Sequence, residues 1–202
     1  LDLVAGNDGG TNKLYLNNGT SVNGGFPDIN TAGTPIGSDT DDTTSVVLGD
    51  VDGDGDLDLV AGNYGGTNKL YLNNGTSVNG RFPDINTAGT PIGSDTDDTT
   101  SVVLGDVDGD GDLDLVAGNY GGTNKLYLNN GTSVNGGFPD SSVAGTGIDS
   151  ESDATFSVVL GDVDGDGDLD LVADNGPTKK LYLNDGSGGF ASSGTAIGSD
   201  TD

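Results

Sequence analysis

A hexapeptide that recurs every 56 residues, and short apolar runs set between glycine, asparagine and aspartate clusters, together predict an all-β fold of the β-propeller type. LDLVAG begins at Leu1, Leu57 and Leu113, and LDLVAD at Leu169, which divides the chain into units 1–56, 57–112, 113–168 and 169–202. The first two units differ only at Asp8 against Tyr64 and Gly25 against Arg81. The third drifts around residues 141–156, and the fourth is shorter in its NGPTKK turn and SGGF segment. No linker or shift in composition separates the copies, so residues 1–202 read as a single repeat domain.

Four strands are predicted per blade. For the second blade they are Thr44–Val51, Leu57–Gly62, Lys69–Asn73 and a weaker run around Phe82–Ile92. Val46, Val47 and Leu48 are consecutive, and Leu57, Leu59, Val60 and Ala61 nearly so, which predicts inner strands covered on both faces. Radial stacking of four-stranded antiparallel blades has that property. A β-helix is disfavoured because its rungs take about 20 to 30 residues. Leu1 and Asp2 match Leu57 and Asp58, so the expectation is three full blades plus one lacking its inner strand. At the other end GSDTD, residues 198–202, matches residues 37–41, just before such a strand. One reading is an arbitrary cut from a longer array. The other is head-to-tail self-association, in which a neighbouring chain or the continuing polymer covers the open edge, with residues 1–6 and 190–202 at the contact.

The chain carries 33 acidic against 6 basic residues, a formal net charge of -27, which argues against nucleic acid and anionic membranes as partners. No apolar run approaches the roughly 18 to 20 residues of a spanning helix, so membrane insertion is not expected. Cys and His are absent, which removes thiolate chemistry and the commonest general base and transition-metal ligand. Every acidic residue except Glu151 is Asp. Asp suits turns and hard-cation loops, whereas a solvated helical surface draws on Glu and Lys.

The chemistry sits in GDVDGDGDLDLV, which starts at Gly49, Gly105 and Gly161 between two strand-like runs. The carboxylates of Asp50, Asp52 and Asp54 converge on one hard cation if the chain curls, and Gly55 at the sixth position permits the turn. Asp56 then offers its backbone carbonyl and Asp58 a further carboxylate. The same roles fall to Asp106, Asp108, Asp110, Asp112 and Asp114, and to Asp162, Asp164, Asp166, Asp168 and Asp170. An all-oxygen set rich in carboxylate selects Ca²⁺ over zinc or copper, giving three complete sites. An EF-hand is excluded because its twelfth position, a bidentate Glu, is here Ala61, Ala117 or Ala173, and because the flanks are strands. RTX-type repeats recur about every nine residues, unlike this loop.

This succession of GDVDGDGDLDLV, KLYLNNG or KLYLNDG, and GGF at Gly188–Phe190 resembles the FG-GAP/VCBS repeat, found also in the integrin α-subunit propeller. The resemblance runs through essentially the whole chain. It implies one blade per repeat, Ca²⁺ in the loop between the first two strands of a blade, and an extracellular or cell-surface setting. Such repeats occur in adhesins, lectins, enzyme-associated modules and scaffolds, so the fold alone does not set the function. Family propellers commonly have seven blades, and this chain has fewer than four complete ones.

Asn18, Asn74 and Asn130 each open an Asn-Gly-Thr sequence, a candidate glycosylation acceptor that also serves as an ordinary hairpin turn. Tyr15, Tyr71, Tyr127 and Tyr182 in LYLN are expected to pack between blades with hydroxyls reaching solvent or backbone. Tyr64 and Tyr120 lie in Gly-rich turns and are the candidate ligand contacts. The stretch Ser38–Ser45 reads as an exposed connection. The function expected is a non-enzymatic, calcium-stabilised structural or adhesive repeat protein, a candidate filament or surface-layer subunit with a glycan or cell-surface partner. The alternative is a carbohydrate-binding propeller. A calcium-dependent hydrolase would need a nucleophile and a spare carboxylate, and no residue marks either.

Overall fold

The computed structural model describes residues 2–17, 19, 32–73, 75, 82, 87–132, 134–150 and 152–198. Four antiparallel sheets follow one another along the chain. The first has three strands in the order β1 (Leu3–Ala5), β2 (Asn12–Tyr15), β3 (Thr34–Ile36). The second runs β4 (Thr43–Gly49), β5 (Asp58–Asn63), β6 (Lys69–Tyr71), β7 (Thr90–Pro91). The third holds β8 (Thr99–Gly105), β9 (Asp114–Asn119), β10 (Lys125–Tyr127) and β11 (Thr146–Gly147). The fourth holds β12 (Ser157–Gly161), β13 (Asp170–Asn175), β14 (Thr178–Tyr182) and β15 (Thr195–Ile197). A single 3₁₀ turn, Val134–Gly137, is the only helical element among the described residues. A four-stranded sheet therefore draws its first strand from before Leu57, Leu113 or Leu169 and its other three from after it.

The fourth strand is shorter than the sequence predicts. Only Thr90 and Pro91 pair with β6, at Leu70 and Lys69, because proline removes a ladder donor and is tolerated at a sheet edge. Phe82 lies in a bend and joins the core instead, while residues 83–86 lie outside those described. Burial on both faces holds for the second strands: every residue of β5 and β9 is buried. It holds only partly for β4 and β8, which are edge strands with a ladder partner on one side.

Three apolar clusters join successive sheets. Leu14 and Ile36 of the first sheet meet Leu59, Ala61, Tyr71 and Phe82. Val60, Leu70 and Ile92, with Val51, meet Val102, Leu115, Ala117, Tyr127 and Phe138. Val116, Leu126 and Ile148, with Val107, meet Val158, Leu171, Ala173 and Tyr182. The same chemical set thus recurs at each contact, offset by one repeat. Between the first two sheets it is incomplete. A cleft of about 630 Å³ opens there, lined by Val4, Leu14, Leu16, Leu48, Leu57 and Phe82, with Asp2 at its rim. Val47 and Val51, or Val103 and Val107, fill the corresponding space in the other two contacts.

Polar bridges lock the sheets as well. The Tyr71 hydroxyl donates to Asp39 Oδ2 at 3.0 Å, and the Gly89 amide donates to the same oxygen at 2.6 Å. Tyr127, Gly145 and Asp95 repeat this arrangement, and Tyr182 donates to Asp149. Lys69 and Lys125 pair with Asp39 and Asp95 at 3.6 and 3.2 Å. Tyr71, Tyr127 and Tyr182 of the LYLN strands are core residues, as expected, but their hydroxyls find carboxylates rather than solvent or backbone, whereas Tyr15 in the first sheet is only half-buried. Asp39 correspondingly makes the stretch after Gly37 a strut and not a free connection.

Candidate metal centres

Each GDVDGDGD segment leaves a first strand, turns through glycines and re-enters the sheet at the buried aspartate that starts the second strand. Gly55, Gly111 and Gly167, the predicted turning residues, sit at φ of 90, 96 and 102° with open space where a Cβ would be. Gly53, Gly109 and Gly165 take the left-handed region too, a second hinge that the sequence pattern did not single out.

The turn brings Asp50, Asp52 and Asp58 together, and likewise Asp106, Asp108 and Asp114, and Asp162, Asp164 and Asp170, with one carboxylate oxygen of each within 4.8 Å of the others. Asp58, Asp114 and Asp170 are completely buried. Asp58 accepts the Val51 amide on Oδ2 at 3.0 Å and the Asn73 amide on Oδ1 at 2.8 Å. Asp114 and Asp170 hold the same pairs, Val107 with Asn129 and Val163 with Asn184. This carboxylate therefore closes the loop and also lines its interior. Asp54, Asp110 and Asp166 lie outside the triads, each accepting the amide two residues on, from Asp56, Asp112 and Asp168.

Burial raises Asp58 to about 6, against the lowering effect of the Asn73 and Val51 amides. Burial likewise raises Asp114 to about 6 despite the Val107 and Asn129 amides. Asp52, Asp108 and Asp164 are shifted up, first by burial and then by neighbouring carboxylates, with a backbone amide opposing. Negative charge in these loops is thus unfavourable by itself, as expected where like charges about 4 Å apart repel by roughly 1 kcal/mol even in water. Asp106 and Asp162 accept glycine amides on both oxygens, from Gly109 and Gly111 and from Gly165 and Gly167. In the first loop Asp50 Oδ2 takes the Gly55 amide, while Asp50 Oδ1 is buried with no hydrogen-bond partner among the described residues. An acceptor left in that state suits a cation, and an all-carboxylate donor set suits a hard one.

Sequence reasoning missed the asparagine that ends LYLN. Asn129 Nδ2 donates to the Val51 carbonyl of the preceding sheet's loop at 2.8 Å and to Leu113 at 3.3 Å, and Asn184 does the same to Val107 and Leu169. One side chain thus ties two successive aspartate loops together. Its near-constant spacing from the loop, from Asp58 to Asn73 and from Asp114 to Asn129, was the available signal.

Tyr64 and Tyr120 are each about half exposed at the junction between adjacent sheets. Tyr64 borders a hollow of about 150 Å³ with Asp8, Asp42 and Thr44, and the Asp98 carboxylate beside its hydroxyl raises its pKa. Tyr120 meets Phe156 edge to face, with ring centroids 5.8 Å apart. Asn130 lies exposed in a turn, its Oδ1 accepting the Thr132 hydroxyl at 2.8 Å. Asn18 and Asn74 fall outside the described residues.

The chain is 29% identical over 196 residues to mouse cartilage acidic protein 1, covering 94% of this chain and 29% of that protein. It is 30% identical over 179 residues to the human protein of that name, covering 87% of this chain and 26% of that one. It therefore spans under a third of the length of these relatives. Among solved structures, an Agrocybe aegerita lectin studied for recognition of non-reducing terminal N-acetylglucosamine superposes with a TM-score of 0.59 at 21% identity. That superposition takes in 99% of this chain and 49% of the lectin chain, a likeness of fold. The signature of the FG-GAP-like repeat matches residues 1–61, 50–117 and 106–173, a span that includes all three aspartate loops. The chain belongs to the FG-GAP-like repeat family.

Proposed function

We propose that this chain is a non-enzymatic, extracellular repeat protein whose sheets are stabilised by three Ca²⁺ ions and which serves a structural or adhesive role. The observation that carries this reading is the threefold recurrence of an aspartate triad with one wholly buried carboxylate at the mouth of a second strand. Asp50, Asp52 and Asp58, and their counterparts, hold the ion, which supplies the positive charge that the crowded carboxylates otherwise lack. Extracellular modules bind Ca²⁺ at about 10⁻⁴ to 10⁻³ M, a range that suits exposed loops of this kind. The lack of Cys and His and the strongly acidic composition support a binding or scaffold role over catalysis. Calorimetric titration tests the reading: three Ca²⁺ per chain are expected in wild type and two in Asp108→Asn. No binding at millimolar Ca²⁺ would sink it.

A second reading, glycan binding, draws on the exposure of Tyr64 and Tyr120 in successive turns and on the fold shared with the fungal lectin. Glycan-array binding abolished by Tyr64→Ala with Tyr120→Ala would favour it. An empty array in Ca²⁺ would leave the structural role.

A further inference from the structure

We propose that Asn129 and Asn184 are positioning residues that couple the three aspartate loops, so that Ca²⁺ bound in one loop raises the affinity of the loop next to it. This rests on the calcium reading and adds to it a dependence of each site on its neighbour. Its basis is a run of hydrogen bonds that passes through all three loops inside the protein. Asp58 Oδ2 accepts the Val51 amide at 3.0 Å, and the Val51 carbonyl accepts Asn129 Nδ2 at 2.8 Å. The Asn129 amide then donates to Asp114 Oδ1 at 2.8 Å. Asp114 Oδ2 accepts the Val107 amide at 2.9 Å, the Val107 carbonyl accepts Asn184 Nδ2 at 2.7 Å, and the Asn184 amide donates to Asp170 Oδ1 at 3.0 Å. Every residue in this run is at most 7% exposed.

The run touches each loop where its geometry is set. Val51 stands between Asp50 and Asp52, and Val107 between Asp106 and Asp108, two members of the triad in each case. Holding the Val51 carbonyl fixes the peptide plane that leads into Asp52, and with it the direction in which that side chain leaves the backbone. Asn129 is in turn held at its own amide by Asp114, a member of the next triad. One asparagine therefore carries the geometry of one carboxylate set to the next. Backbone freedom elsewhere in the loops gives this tie something to restrict: Gly53 and Gly55 lie at φ 74 and 90°, and Gly111 at 96°, each with open space where a Cβ would be.

A filled loop orders its own backbone and, through the asparagine, part of its neighbour's, so the second ion meets a loop that has already lost some of its freedom. The effect is reciprocal, as binding equilibria require. Breaking the tie would leave a buried carbonyl unpaired, which keeps the run together as a unit. Charge acts the other way, because a bound cation repels the next. About 0.15 M salt, with a Debye length of about 8 Å, screens that repulsion between the exposed parts of the loops and leaves the buried tie intact. The Gly188 amide also donates to the Val107 carbonyl, at 3.1 Å, so that junction is held twice and Asn129 is the residue to remove.

Calorimetric titration of the whole chain in about 0.15 M salt tests the coupling by leaving two loops at a time. Asp52, Asp108 and Asp164 each accept the amide two residues on at 3.2 Å, a contact that the remaining oxygen of asparagine can still make, so each Asp→Asn variant should stay folded by circular dichroism. Asp164→Asn leaves the first and second loops and Asp52→Asn the second and third. In both, the second ion should bind about fivefold or more tightly than the first after statistical correction. Asp108→Asn leaves the first and third loops, which share no asparagine, and its two ions should bind independently. Asn129→Ala keeps the backbone amide that Asp114 accepts. Added to Asp164→Asn it should abolish the cooperativity, and added to Asp52→Asn it should leave it in place, a split that mere damage to the second loop would not produce. Independent binding in every pair would overturn the coupling and leave the calcium reading standing, whereas no binding in wild type would remove both. Equal cooperativity in Asp108→Asn, or cooperativity that survives Asn129→Ala with Asp164→Asn, would overturn the role of the asparagine.

Discussion

Removing Ca²⁺ should lower the melting temperature by a predictable amount. Each loop packs five aspartates into nine residues and buries one of them completely, so the metal-free chain folds against its own charge. A ligand that binds only the folded state stabilises it by about 1.4 kcal/mol at tenfold and about 2.7 kcal/mol at a hundredfold excess over the dissociation constant. With affinities of about 10⁻⁴ to 10⁻³ M, about 10 mM Ca²⁺ covers that range, and three sites together contribute roughly 4 to 8 kcal/mol. For a chain of this size 1 kcal/mol moves the transition by about 2 to 4 °C, so the span between chelator and Ca²⁺ should be roughly 10 to 30 °C. Differential scanning calorimetry reads it directly. Asp108→Asn is the discriminating variant, because Asp108 lines the middle triad while its tie to the backbone is the long hydrogen bond it accepts from the Asp110 amide at 3.2 Å. It should remove at least a third of the Ca²⁺-dependent gain and leave the melt in chelator nearly unchanged. Melting curves that superpose with and without Ca²⁺ would refute the reasoning, since the buried carboxylates would then need no counter-charge.

Acidity should act with opposite sign in the two states. Asp58 and Asp114 are raised to about 6 from an ordinary 3.8, so between those values the metal-free folded state binds more protons than the unfolded chain. Its stability is therefore greatest at the acid side of the window and falls as pH rises towards 6, whereas in Ca²⁺ acidification displaces the ion and destabilises. Melting at pH about 5 and about 7, with and without Ca²⁺, checks this, and equal signs would contradict it. Tyr127→Phe deletes the hydroxyl that Asp95 accepts at 3.0 Å but leaves that carboxylate the Gly145 amide and Lys125, so urea unfolding should show a loss of about 1 to 2 kcal/mol. Gly93→Ala should cost more, about 2 to 4 kcal/mol, because Gly93 sits at φ 68° and a Cβ there would lie 2.5 Å from the Tyr127 ring. A variant as stable as wild type would show that the ring moves aside.

The strands and the loops were legible because they are local. Leu59, Val60 and Ala61 in succession mark a strand covered on both faces, and Asp50, Asp52 and Gly55 state their turn within six residues. The buried role of Asp58 was less so: spacing made it one more ligand, and only the Val51 and Asn73 amides show it to be the clasp of the loop. What the sequence concealed depends on partners far along the chain. Tyr71 finds Asp39 and Asn129 finds Val51, pairs separated by 32 and 78 residues that no local pattern connects. The contraction of the fourth strand to Thr90 and Pro91 reflects a proline that fits an edge but does not extend it.

The incomplete first cleft makes the chain its own control for how much a neighbour contributes to protection. Around β1 and β5 the sequence is the same from LDLVAGN through GGTNKLYLNN, with one exchange in the turn, yet Val60 is wholly buried and Val4 is not. In a stack of repeats, stability is the sum of what each unit holds alone and what it gains at its interfaces. The amides of β2 should therefore exchange with solvent deuterium well before those of β6, although both read KLY, and the difference in opening free energy measures the missing contact itself, free of any contribution from local sequence. Unravelling under force or denaturant should start at the first sheet and move inward, one blade at a time.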